Sequence, residues 1–135
     1  MTPILARLSV TVLFMLLLFP TARAEDGYEL WLRYHSISDR ALRAHYAASI
    51  SEMLVAGESP TANAVRDELR RGLRGLLGTD IPFVQAATRE RVLVAGTPAT
   101  SAFIASLGLA SDLKSVGDEG YLIRTVQRDG KRATV

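Results

Sequence analysis

The first residues that could carry chemistry are the two histidines, His35 and His45. They stand ten positions apart on different predicted elements, and neither belongs to a His-x-His or His-x-x-x-His spacing that could chelate zinc. No serine occupies a Gly-x-Ser-x-Gly elbow and the chain has no cysteine, so neither a serine triad nor thiol chemistry is supported. We therefore predict no catalytic residue, no cofactor-binding residue, no cofactor and no metal site here.

Acidic side chains are the second group of candidates, because acid–base hydrolysis uses paired carboxylates. The candidates are Glu25, Asp26, Glu29, Asp118 and Glu119. Two of them would have to face each other across a substrate. Their predicted positions in loops and at strand ends favour solvated charges instead, and we assign none of them a catalytic role.

A turn centred on Gly96-Thr97-Pro98-Ala99 precedes a predicted helix, whose N-terminus could hold an anion. The turn lacks the lysine and the second glycine of a phosphate-binding loop. We interpret it as a tight connection between a strand and a helix, with a hydroxyl cap and Pro98 at the first helical position.

Three aromatic residues near the start of the domain could stack on a sugar, because carbohydrate sites use aromatic faces. These residues are Tyr28, Trp31 and Tyr34. Alternation along a strand places Trp31 on the face opposite to both tyrosines. Packing in a core or an interface is therefore the simpler prediction for Trp31.

Residues 1–24 have the order of a signal peptide: Arg7, an apolar stretch from Leu8 to Phe19, and the small-residue site Ala22-Arg23-Ala24. The apolar stretch has 12 residues, whereas a membrane-spanning helix needs about 20, so no stable membrane anchor is predicted. Cleavage after Ala24 would remove two of the 16 basic residues and leave 14 beside the 14 acidic ones. This balance gives no reason to expect a nucleic-acid partner. We predict export to the periplasm or the outside of the cell.

The elements that must position these residues alternate between strands and helices, so we predict one α/β domain over residues 25–135. Strands are predicted at residues 28–34, 81–84, 91–95, 120–126 and 131–135. Pro82 favours an edge position for the second strand, whereas the apolar run 91–95 is typical of the sheet centre. Asp129-Gly130 predicts a type I′ hairpin turn.

Helices are predicted from three periodic patterns. The first helix is capped by Ser38 or Asp39, and one face carries Leu42, Tyr46, Ile50 and Leu54. The second starts at Ser59-Pro60 and ends at Gly78, with an Asp67–Arg71 ion pair and a buried stripe of Val65, Leu69, Leu73 and Leu76. A short third helix with Phe103, Ile104 and Leu107 is predicted to stop at Gly108.

Four segments carry a family resemblance: residues 25–34 (EDGYELWLRY), 68–78 (ELRRGLRGLLG), 94–98 (VAGTP) and 119–124 (EGYLIR). Together they resemble the N-terminal domain of the family 67 α-glucuronidases. The resemblance implies a two-layer α/β sandwich, a small mixed sheet with helices on one face. It also implies that the catalytic carboxylates belong to a (β/α)8 barrel that is absent from this chain.

The function implied by the resemblance is that of a non-catalytic domain in an inverting α-glucuronidase. Such an enzyme removes (4-O-methyl)glucuronic acid from xylan-derived oligosaccharides, and its partners are the barrel and, through it, glucuronoxylan oligosaccharides. The chain stops within the predicted last strand, so we expect the domain to be incomplete at its C-terminal end and inactive alone. Two alternatives stay open: a free-standing exported carbohydrate-binding module, and an interaction domain whose apolar sheet face docks on another subunit.

Overall fold

A computed structural model describes residues 33–135 of the chain. The predicted signal peptide and residues 28–32 of the first predicted strand lie outside this part, and residues 33 and 34 are not in a strand. The contacts described below lie within the compact unit Tyr34–Val135. Its elements in chain order are α1 (Arg40–Ser49), β1 (Glu52–Val55), α2 (Pro60–Leu77), β2 (Val92–Ala95), α3 (Ala102–Ala105), α4 (Ala110–Val116), β3 (Thr125–Arg128) and β4 (Lys131–Thr134).

The first two helices begin at their predicted caps. The Asp39 carboxylate accepts a hydrogen bond from the Leu42 N–H at 3.0 Å, and the Ser59 hydroxyl accepts one from the Ala62 N–H at 3.1 Å. At the end of α2, Gly78 adopts a φ of 70°, and its N–H donates to the Arg74 carbonyl at 2.8 Å. A residue with a side chain is strained at such a φ, which explains the glycine at this position.

The end of the first helix was predicted wrongly. α1 stops at Ser49, Ile50 is already extended, and Leu54 belongs to β1. Apolar spacing alone does not separate a short buried strand from a further helical turn, and here pairing with β2 decides for the strand. On α2, Asp67 pairs with Arg70 at 2.9 Å rather than with the predicted Arg71.

The sheet has the strand order β1-β2-β4-β3. β2 is central and pairs in parallel with both β1 and β4, as the apolar run 91–95 predicted. β3 and β4 form the predicted antiparallel hairpin, with Asp129 at a φ of 52° and Gly130 at 73°. The second predicted strand, residues 81–84, is reduced to a single bridge between Phe83 and Met53 at the edge of β1.

Both faces of the sheet are covered. On one face, Met53 packs with Leu77 and Ile81 and with apolar residues of α1 and α2. On the other face the core is formed by Leu54, Val92, Val94, Ala133 and Ile104, the last from α3. The predicted α/β class with a small mixed sheet is confirmed, and the one-turn helix α3 adds cover on the second face. Among residues 33–135, no helix combines the length and the apolar character needed to cross a membrane.

The connection from β2 to β3 differs from its prediction. α3 ends at Ala105, before the predicted stop at Gly108, and a further helix, α4, follows. α4 has only two large apolar residues, Leu113 and Val116, so its sequence shows too little periodicity to predict it. β3 begins at Thr125, five residues after the predicted start.

Candidate functional site

An apolar groove lies at the carboxyl end of β2, where ligand and partner sites of α/β sheets often form. Its volume is about 570 Å³. The end of β2 and the following turn form one wall, Leu109 and Leu113 a second, and the segment 117–123 a third. Within that segment Tyr121 is 79% exposed and Ile123 is 73% exposed. Exposed apolar side chains beside a groove are typical of a surface that contacts another protein or domain.

The Gly96-Thr97-Pro98 turn contributes to this groove, and three backbone N–H groups in and after the turn donate within it. The Thr97 N–H donates to the Thr100 hydroxyl at 3.0 Å, and the N–H groups of Thr100 and Ser101 donate to the Thr97 carbonyl at 3.1 and 2.9 Å. This arrangement supports a structural turn rather than an anion site. The prediction of Pro98 at the first helical position is wrong, because Ser101 caps α3 and the helix begins at Ala102.

Glu52 is a buried carboxylate that was not among the candidates predicted from the sequence. It lies in β1 with only 1% of its surface exposed. Its carboxylate accepts hydrogen bonds from the Thr88 N–H at 2.6 Å, the Thr88 hydroxyl at 2.8 Å and the Arg89 N–H at 2.8 Å. Burial raises the pKa of Glu52, but these hydrogen bonds and the Arg89 charge together hold the pKa below its ordinary value. Glu52 is therefore an ionised anchor for the loop before β2.

A second carboxylate, Glu68 of α2, is held by two neighbours. The Tyr34 hydroxyl donates to Glu68 Oε1, and the Arg71 guanidinium pairs with Glu68 Oε2 at 2.5 Å. The Tyr34 hydrogen bond lowers the pKa of Glu68, partial burial opposes it, and Arg71 adds to the lowering. The contacts of this cluster among residues 33–135 involve a single carboxylate, and these contacts fit a structural link better than a hydrolytic pair.

The remaining predicted candidates that the structure describes are exposed. His35 and His45 are both exposed, and the His45 ring contacts Tyr46 edge-on with centroids 5.9 Å apart. Asp118 and Glu119 are exposed in the loop after α4. The other candidates, Glu25, Asp26, Glu29, Tyr28 and Trp31, lie outside the described residues. Within residues 33–135 no group of three or more histidine, cysteine or acidic residues is placed to hold a metal ion.

Comparison with known proteins identifies the family. The model of the glycosyl hydrolase family 67 N-terminus matches residues 30–135. The chain belongs to this family. A curated relative, the α-glucuronidase of Hypocrea jecorina, is 28% identical over 109 residues, which cover 76% of this chain and 12% of the relative. The resemblance inferred from the four segments is thus confirmed, and the chain spans about one eighth of the length of this relative.

The family segments meet in pairs within the glycosyl hydrolase family 67 domain. Tyr34, the last residue of the first segment, contacts the second segment at Glu68, Gly72 and Gly75. The third and fourth segments, 94–98 and 119–124, both line the apolar groove. The described parts of the four family segments therefore lie at two places, the contact between Tyr34 and α2 and the apolar groove.

Proposed function

We propose that this chain is the non-catalytic N-terminal domain of an α-glucuronidase that removes (4-O-methyl)glucuronic acid from xylan-derived oligosaccharides. The observation that carries the proposal is the family match over residues 30–135. It is joined by the similarity to an α-glucuronidase, in which the aligned part covers 12% of the relative's length. Most of the relative's sequence lies outside the aligned part, and this remainder is long enough to contain a catalytic barrel.

The environment of the described carboxylates supports a non-catalytic role. The buried Glu52 is fully engaged with Thr88 and Arg89, and Glu68 with Tyr34 and Arg71. An inverting glycosidase instead needs two carboxyl groups about 6.5–9.5 Å apart on either side of an open substrate site. We therefore expect the chain alone to be inactive.

The apolar groove supports a partner for the domain. Its exposed Tyr121 and Ile123 would be covered if the groove packed on the catalytic (β/α)8 barrel. The substrate, glucuronoxylan oligosaccharides, would then be bound and hydrolysed in the barrel. This arrangement assigns the domain a role in stabilising or positioning the catalytic part.

A domain exchange tests the proposal. Residues 30–135 replace the matched segment of the Hypocrea jecorina α-glucuronidase, and the release of 4-O-methylglucuronic acid from a substituted xylotriose is measured. We expect the chimera to retain activity, and an otherwise identical enzyme lacking the segment to lose it. A chimera as inactive as the deletion variant would refute the equivalence of the two domains. Turnover by the 135-residue chain alone would refute its non-catalytic role.

We also propose that the chain is exported to the periplasm or the outside of the cell. Residues 1–24 support this location, because a basic residue, an apolar stretch and a small-residue cleavage site follow one another there as in a signal peptide. Fusion of residues 1–30 to a reporter enzyme that is active only after export tests it. We expect reporter activity and cleavage after Ala24. A fusion in which Leu13 and Leu17 are replaced by arginine is the matched control, because charges in the apolar stretch block export.

A further inference from the structure

A polar pocket lies on the face of the sheet that α1 covers. Its volume is about 340 Å³, at the lower end of the range of small-molecule sites. The end of α1 forms one wall, and β2, β4 and β3 with the residue preceding β2 form the floor and the other wall. The polar residues lining it are His45, Ser49, Arg91, Thr125, Arg132 and Thr134.

Two arginines stand side by side in this pocket. The Arg91 N–H donates to the Arg132 carbonyl at 2.7 Å, one position before the paired residues Val92 and Ala133. Like charges on adjacent strands repel each other. Within residues 33–135, neither Arg91 nor Arg132 forms an ion pair with a carboxylate. No acidic residue is among the described residues that line the pocket.

The backbone of Arg91 adds a second, independent observation. Its φ is 63°, in the left-handed region that side chains other than glycine rarely adopt. Such a conformation is unfavourable for arginine and is concentrated at binding sites. Glycine would adopt this φ with less strain than arginine does. What arginine contributes at this position is therefore its guanidinium group.

Hydroxyl groups that line the same pocket complement the two charges. Thr125 and Thr134 are cross-strand partners and lie on the same face as Arg132. The Ser49 hydroxyl donates to the Tyr46 carbonyl at 2.7 Å, which leaves its oxygen able to accept a hydrogen bond. Guanidinium groups bind carboxylates in two-point geometry, and hydroxyl groups pair with the hydroxyls of a ligand.

We propose that this pocket binds a small acidic sugar. Arg91 and Arg132 hold the carboxylate, and Thr125, Thr134 and Ser49 contact the sugar hydroxyls. The expectation that the ligand carries a carboxylate follows from the two arginines that line the pocket. The choice of a sugar acid rests on the proposed function, since the reaction assigned to the whole enzyme releases a uronic acid.

Calorimetric titration of the full chain tests the proposal with three probes: glucuronate, xylose and inorganic phosphate. We expect glucuronate to bind and xylose, which has the hydroxyls without the carboxylate, not to bind. Absence of glucuronate binding would overturn the proposal. Phosphate binding equal to that of glucuronate would overturn the assignment to a sugar acid.

Three variants distinguish binding of glucuronate in the pocket from a general effect of the chain's charge. Arg132→Gln should weaken glucuronate binding at least about tenfold, as expected for a lost charge-assisted hydrogen bond. Arg91→Gly should weaken it similarly without lowering the thermal unfolding midpoint, because glycine relieves the positive φ. Arg40→Gln, an exposed arginine at the start of α1, is the control and should bind like the parent. Unchanged affinity in Arg132→Gln would place the ligand elsewhere, and the titrations do not depend on the activity of the chimera.

Discussion

Gly75 of α2 gives the sharpest test of how the domain is assembled. A Cβ atom built on Gly75 would lie 2.6 Å from the Tyr34 Cβ and 2.7 Å from the Tyr34 carbonyl oxygen. Neither atom is at the end of a flexible side chain, so the clash can be relieved only by moving the Tyr34 backbone off the helix. In an uncrowded helix, alanine in place of glycine would stabilise by about 1 kcal/mol.

The expected effect of Gly75→Ala is the difference between this gain and the cost of overpacking. Overpacking a tight contact costs about 1–3 kcal/mol, and the short distances here point to the upper end. We therefore expect Gly75→Ala to lower the free energy of unfolding by about 1–2 kcal/mol. At Gly72 the nearest atoms belong to the Tyr34 ring, at 3.1 and 3.2 Å, and the ring can shift. Gly72→Ala should therefore be nearly neutral.

A second substitution separates the two glycines. Tyr34→Ala removes the ring that a side chain at position 72 meets, so in this background Gly72→Ala should stabilise by about 1 kcal/mol. The contacts of Gly75 are with the Tyr34 Cβ and carbonyl oxygen, which alanine retains, so Gly75→Ala should remain destabilising. Urea unfolding followed by far-ultraviolet circular dichroism measures the parent and every variant. A stabilising Gly75→Ala would show that the segment before α1 does not cross the helix here.

Three further predictions concern other parts of the domain. Glu52→Gln should lower the free energy of unfolding at neutral pH by about 2–3 kcal/mol, because the amide cannot accept all the hydrogen bonds that Thr88 and Arg89 donate. Since the pKa of Glu52 is lowered in the fold, its contribution is present above about 4.5, its ordinary value, and is lost as the pH falls through the folded pKa. Denaturant midpoints between neutral and acidic pH should therefore depend on pH less in the variant than in the parent. Gly130→Ala should cost about 1 kcal/mol in the same unfolding assay, because the hairpin requires a positive φ there. Tyr121→Ser should leave the stability of the isolated domain within about 0.5 kcal/mol but lower the thermal midpoint of the chimera, as expected for a residue exposed in one and covered in the other.

Local signals in the sequence predicted the elements that they control directly. Asp39, Ser59 and Gly78 cap their helices by hydrogen bonds or dihedral angles that involve only neighbouring residues. Asp129-Gly130 fixes its hairpin in the same way. Within the run 91–95, the apolar residues Val92–Ala95 predicted the central strand, because a strand covered on both faces needs apolar residues at successive positions.

Features that depend on distant partners were not predictable from the local pattern. β1 is a strand because its residues pair with β2, and the same residues continue the helical spacing of α1. The burial of Glu52 follows from that strand and from the Thr88 loop, 36 positions further along the chain. The polar pocket combines α1, the residue before β2, and the final hairpin, so spacing along the sequence could not reveal it.

The distribution of the four family segments explains why they identify a family without identifying a catalytic residue. A motif that carries chemistry brings several polar side chains to one open site. Here the first two segments meet where Tyr34 lies against Gly72 and Gly75, a contact whose specificity comes from the absence of side chains on the helix. The other two line an apolar groove, and the Thr97 N–H of its turn donates to Thr100. Both junctions position backbone and apolar surface, so the described residues of the family segments are ones that assemble the domain and shape its groove.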